Sequence, residues 1–89
     1  MRKSIHTAEY GLLCQELRDA REKAGLSQRD LASSLKVPHS WVAKVETAER
    51  RIDLVEFCRF VIACDGDPRI AFDRIVDQIS KPRRRGGRK

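Results

Sequence analysis

Signals that stop one helix and start the next recur at short intervals along this chain, cutting a helical apolar pattern into pieces. The first piece runs from about Ala8 to Ala24 with Thr7 as its cap. Leu13, Leu17, Ala20 and Ala24 form its inward stripe. Gly25 ends it in the left-handed role that glycine fills without steric penalty. Ser27 caps a second helix, Asp30 favours the exposed amides of its first turn, and Leu31, Ala32 and Leu35 form its buried side. After "LKVP", Pro38 belongs in the first turn of a third helix that ends near Thr47 and carries a thin apolar stripe, Val42 and Val45. Asp53 with Glu56 resembles a capping box and opens a fourth helix carrying Leu54, Phe57, Val61 and Ile62. "DGDP" supplies a stop, a cap and a first-turn proline for a fifth, with Ile70, Phe72, Ile75, Val76 and Ile79. No stretch alternates polar and apolar residues convincingly, so the expected class is all-α, five short helices without a strand.

The chain has 89 residues, 40% of them apolar, which suits one small domain with a modest core. No run approaches the roughly 18 consecutive apolar residues of a membrane span, and "MRKSIH" lacks the apolar stretch of a signal peptide, so a cytoplasmic location without membrane contact is expected. Cys14, Cys58 and Cys64 sit among apolar neighbours and read as small buried hydrophobes; with His6 and His39 they match no common zinc spacing, so no metal and no cofactor is expected. The net charge of +6 is unevenly placed. Lys81, Arg83, Arg84, Arg85, Arg88 and Lys89 stand in a tail without an acid, so the rest of the chain is neutral overall. Asp65, Asp67, Asp73 and Asp77 supply an acidic region. The expected organisation is an N-terminal arm (1–6), a domain (7–80) and a flexible basic tail (81–89), which has no apolar residue to bury.

A longer helix followed by two of about three turns, joined by "LKVP", suggests a helix-turn-helix. The segments "LRDAREKAGLSQRDLA", "SWVAKVETAERRID" and "LVEFCRFVIACDGDP", in this order and spacing, resemble the phage-repressor (Xre) type of DNA-binding domain over about Leu12 to Ile75. The resemblance implies a five-helix domain that binds double-stranded DNA and places the third helix in the major groove. A groove helix needs polar side chains outward and apolar ones behind. With Val42 and Val45 inward, His39, Ser40, Ala43 and Lys44 are the candidate base contacts. Gln28, at the start of the second helix, occupies a position that usually contacts the DNA backbone in the family. Arg29, Arg50 and Arg51 are candidate phosphate clamps, and Trp41 is either a packing wedge or a further backbone contact. Arg21 and Glu46 match a family ion pair tying the first helix to the third, and Glu46 is therefore assigned a structural role. The family frequently has glycine where this chain has Lys36 and Ala48, which puts the turn geometry there in question.

Phe72, Ile75, Val76 and Ile79 offer apolar surface for a homodimer, or else lid their own domain. A two-fold pair predicts an inverted-repeat operator with half-sites roughly 34 Å apart. The tail suits non-specific phosphate binding, with minor-groove reading as an alternative. The expected function is a transcriptional regulator, in particular a repressor acting as a dimer on a short palindrome. The rival is an antitoxin-like or adaptor module whose acidic C-terminal face binds a protein partner. An enzyme is not expected, since there is no glycine-rich phosphate loop and no clustered ligand set; no aromatic platform points to RNA.

Overall fold

The computed structural model describes residues 7–81. The 1–6 arm and the tail cations Arg83, Arg84, Arg85, Arg88 and Lys89 lie outside the described residues. Among those described, the chain forms five helices and no strand: α1 (Ala8–Lys23), α2 (Gln28–Leu35), α3 (His39–Glu46), α4 (Leu54–Ala63) and α5 (Pro68–Ser80). No helix is long and apolar enough to cross a membrane among these residues.

Four of the five starts are closed by side chains. Thr7 accepts from the Tyr10 amide, Ser27 and Asp30 form a reciprocal capping box, Asp53 and Glu56 form another, and Asp67 accepts from the Arg69 amide. α3 differs. Pro38 is its N-cap, with extended backbone (φ −65°, ψ 151°) and no side-chain cap bond, rather than a first-turn residue as the sequence suggested. Its ψ is extended, so the helix begins one residue later. α2 and α3 have eight residues each, little more than two turns, not three.

The four ends share one geometry. A residue with positive φ follows each of α1 to α4: Gly25, Lys36, Ala48 and Asp65. Two amides return to carbonyls in the last turn each time, as with Gly25 N–H to Glu22 and Leu26 N–H to Arg21. The turns at Lys36 and Ala48 thus keep the left-handed backbone that glycine favours, at φ 60° and 66°. In "DGDP" the left-handed residue is Asp65, not Gly66. Gly66 has a separate reason: a Cβ there would lie 3.0 Å from Val61 Cγ1.

The core joins all five helices. Leu17, Leu31, Val42, Val45, Phe60 and Val61 are essentially inaccessible, with Phe57, Cys64 and Ala71 closing the margins. Phe60 is the largest of the fully buried side chains and lies on the α4 face opposite Leu54 and Ile62, which are both exposed. On α5 the buried residue is Ala71, whose small side chain lets the helix approach the core. Ile70, Phe72, Val76 and Ile79 stay exposed. Arg74 on α5 donates to Glu16 on α1 at 2.7 and 2.9 Å, fixing how the last helix lies across the first.

Candidate nucleic-acid interface

α3 divides as its stripe requires. Val42 and Val45 are at 0% exposure, and His39, Ser40 and Lys44 on the other face are exposed, with Ala43 half-buried. Trp41 is half-buried against the core, and the Arg50 guanidinium lies over its ring, 5.1 Å from the centroid. The uncapped start of α3 leaves its first amides for an outside acceptor, an arrangement that favours an anion.

Beneath this face runs a polar network centred on Glu46, the buried charged residue on α3. Arg21 binds it as a fork, Nε to Oε2 at 2.6 Å and Nη2 to Oε1 at 3.0 Å, and its third group donates to the Leu26 carbonyl at 2.9 Å. Arg18 Nε stands 3.6 Å from Oε1. Gln28 Nε2 also donates to Oε1, at 3.0 Å, and its Oε1 lies 3.2 Å from His39 Nε2. Burial by itself pushes the Glu46 carboxyl up, but the hydrogen bonds of Arg21 and Gln28, with the charges of Arg21 and Arg18, outweigh it and hold the group below its usual value. The hydrogen bond from Arg21 to Glu46 raises the guanidinium correspondingly, against its own desolvation. The ion pair ties α1 to the last residue of α3, and Gln28 extends the connection from α2 to the first.

The N-terminus of α2 already holds a carboxylate. Asp30 accepts from the Ser27 amide at 3.1 Å, and this bond, with that to the Ser27 side chain, lowers its pKa. The helix dipole there is therefore met internally, and any phosphate contact by Gln28 falls to its side-chain amide. Arg29 is exposed. Arg50 is held by Glu56 at 3.3 and 3.4 Å and by the Arg51 carbonyl at 2.8 Å, besides stacking on Trp41. Arg51 is exposed and lies over the Tyr10 ring, 4.5 Å from its centroid.

A helix-turn-helix domain model matches residues 12–70. A solved structure described as an XRE-family like protein from Pseudomonas syringae pv. tomato str. DC3000 superimposes with a TM-score of 0.78 at 39% identity, covering 84% of this chain and 92% of that one. The chain belongs to the Xre-type helix-turn-helix family. No curated protein matches it. As an Xre-type domain it falls among DNA-binding regulators, with α2 and α3 as the helix-turn-helix pair.

Within this Xre-type domain, Tyr10 and Arg18 support the interface though no sequence motif singles them out, and Glu56, legible only as a helix cap, has a second role. Tyr10 carries Arg51 and accepts the Ile52 amide at 3.0 Å, Arg18 adds charge beside Glu46, and Glu56 clamps Arg50. Tyr10 left a trace, since it precedes Leu13 and Leu17 on the same helical stripe. Cys14 donates to the Val45 carbonyl at 3.4 Å, and burial pushes the Cys64 thiol up to about 11, so neither is disposed to ionise.

Proposed function

We propose that the chain is a sequence-specific double-stranded DNA-binding transcriptional regulator, a repressor acting in the cytoplasm as a homodimer on a short palindromic operator. The observation that carries this reading is the exposed row His39, Ser40 and Lys44 on a helix anchored from behind by Val42, Val45 and the Arg21–Glu46 pair. Lys44 donates to guanine O6 or N7, Ser40 serves base or phosphate, and Ala43 offers an apolar contact to a thymine methyl. Gln28, Arg29, Arg50 and Arg51 hold phosphates, with Trp41 bracing Arg50 at the backbone. The Lys81–Lys89 tail adds a sequence-independent term.

The dimer rests on α5. Phe72, Val76 and Ile79 are 53%, 42% and 41% exposed, and Ile75 is half-buried. Phe72, Ile75 and Ile79 border a groove of about 420 Å³ floored by Leu13 and Phe57 and rimmed by Leu54. A self-complementary two-fold pairing covers this surface and sets two α3 helices one DNA turn apart. An adaptor reading draws on the same surface, flanked by exposed Asp73 and Asp77.

Selection from a random duplex library at about 150 mM salt, where non-specific phosphate binding is weak, tests the proposal. An enriched inverted repeat with half-sites near 10 bp apart is expected. A single enriched half-site discards the dimer, and no enrichment discards the DNA reader in favour of the adaptor.

A further inference from the structure

We propose that Glu46, acting through Gln28, fixes the tautomer of His39 and makes His39 Nδ1 the acceptor that reads an exocyclic amine, adenine N6 or cytosine N4, in the major groove. The inference rests on the DNA-binding reading above and assigns one base-reading residue its chemistry.

The Glu46 carboxylate has no choice of role. An ionised carboxylate only accepts hydrogen bonds, and Glu46 lies buried with Arg21 forked onto both its oxygens. The Gln28 amide group 3.0 Å from Glu46 Oε1 is therefore the NH2, and the planar amide turns its oxygen the other way. That oxygen lies 3.2 Å from His39 Nε2. A carbonyl oxygen only accepts, so Nε2 must carry the hydrogen. A neutral imidazole has one N–H, which leaves Nδ1 as a bare acceptor on an exposed ring at the first position of α3.

The floor of the major groove offers donors at two places, adenine N6 and cytosine N4; guanine O6 and N7 and thymine O4 are acceptors and repel a second lone pair. Residue type alone lets a histidine donate to guanine or accept from adenine. The relay removes the first option for the neutral ring. It also orients Gln28 so that the second N–H of its amide stays outside these bonds and can bind a phosphate.

The experiment has two arms on the full chain. Imidazole 15N spectra of the DNA-free native protein at pH 8 are expected to show His39 protonated at Nε2 and bare at Nδ1, with the Nε2 proton slowed in exchange with water. Gln28→Leu, which keeps the bulk and removes the amide, should speed that exchange by roughly tenfold and admit the second tautomer. In the binding arm, the operator position whose preference disappears in His39→Ala is the one His39 reads. There the native chain should favour adenine or cytosine over guanine or thymine about fivefold, and Gln28→Leu should reduce this to less than about twofold.

A native ring protonated at Nδ1 overturns the proposal whether or not any variant folds. So does a ring whose exchange is unchanged in a folded Gln28→Leu. The expected ring with a guanine or thymine preference overturns the base assignment. Absence of any sequence preference in the native chain overturns the DNA reading itself while the spectra stand, so the two failures are distinguishable.

Discussion

Glu46 and Lys44 are two positions apart on α3 and serve opposite ends of the same task. Lys44 is exposed, makes no contact that the core depends on, and is proposed to donate to a guanine. Lys44→Ala should therefore leave the melting temperature within a degree or two and relax base preference at one operator position, read by repeating the selection. Loss of preference at no position would remove Lys44 from the groove. Glu46→Ala strands Arg21, whose side chain is 12% exposed, and should cost about 3 kcal/mol in urea unfolding. The pair also sets a pH dependence. The folded carboxyl titrates below its ordinary 4.5, so the unfolded chain takes up the proton first. The contribution is present above that value and drains away as the pH falls below it. The stability gap between the native chain and Glu46→Gln should accordingly narrow on acidification below 4.5.

At the scale of the element, the recurring left-handed residue after each of α1 to α4 explains how four helices turn so tightly. Only one of the four positions is glycine. At Gly25 an added Cβ would meet nothing within 4 Å, so Gly25→Ala isolates the backbone strain and should cost about 1 kcal/mol. The reverse change at Ala48, φ 66°, should stabilise by about 0.5 kcal/mol, the relieved strain being partly offset by the freedom glycine gives the unfolded chain. Thermal unfolding of the two variants side by side checks both signs. Lys36 and Ala48 illustrate why the turn geometry was open from sequence. Returning hydrogen bonds and the packing of Leu35, Val37 and Val45 hold the backbone left-handed regardless of the residue placed there.

Across the molecule as folded, the proposed reading face lies on α2 and α3, and the largest exposed apolar residues lie on α4 and α5. Val76→Asp puts a charge on the α5 face without touching the core, since Val76 is 42% exposed. It should leave the fold intact and, if α5 pairs two copies, convert a dimer to a monomer in sedimentation at micromolar concentration. An unchanged oligomeric state would exclude this face. Ending the chain at Ser80 removes six cations and should flatten the dependence of affinity on salt by a slope of up to about 5 without altering the consensus. An altered consensus would mean that the tail reads sequence.

The five helices follow from local signals alone, because caps and stops such as Ser27 with Asp30, Asp53 with Glu56, and Gly25 act within a few residues. So does the inward stripe of α3, because Val42 and Val45 answer to a fixed helical period. Other features depend on neighbours distant in the chain and emerge only when the helices pack. Phe60 rather than Leu54 or Ile62 fills the centre because α1, α2 and α5 close around that face of α4, and Ala71 is buried because a small residue lets α5 approach. Tyr10 beneath Arg51 and Gln28 between Glu46 and His39 are contacts across 41, 18 and 11 residues of chain, made by folding and by no local pattern. The identity of His39 was legible from the start; which of its nitrogens carries the hydrogen follows only from the carboxylate two bonds away, because a hydrogen bond assigns a donor only once its partner's role is known.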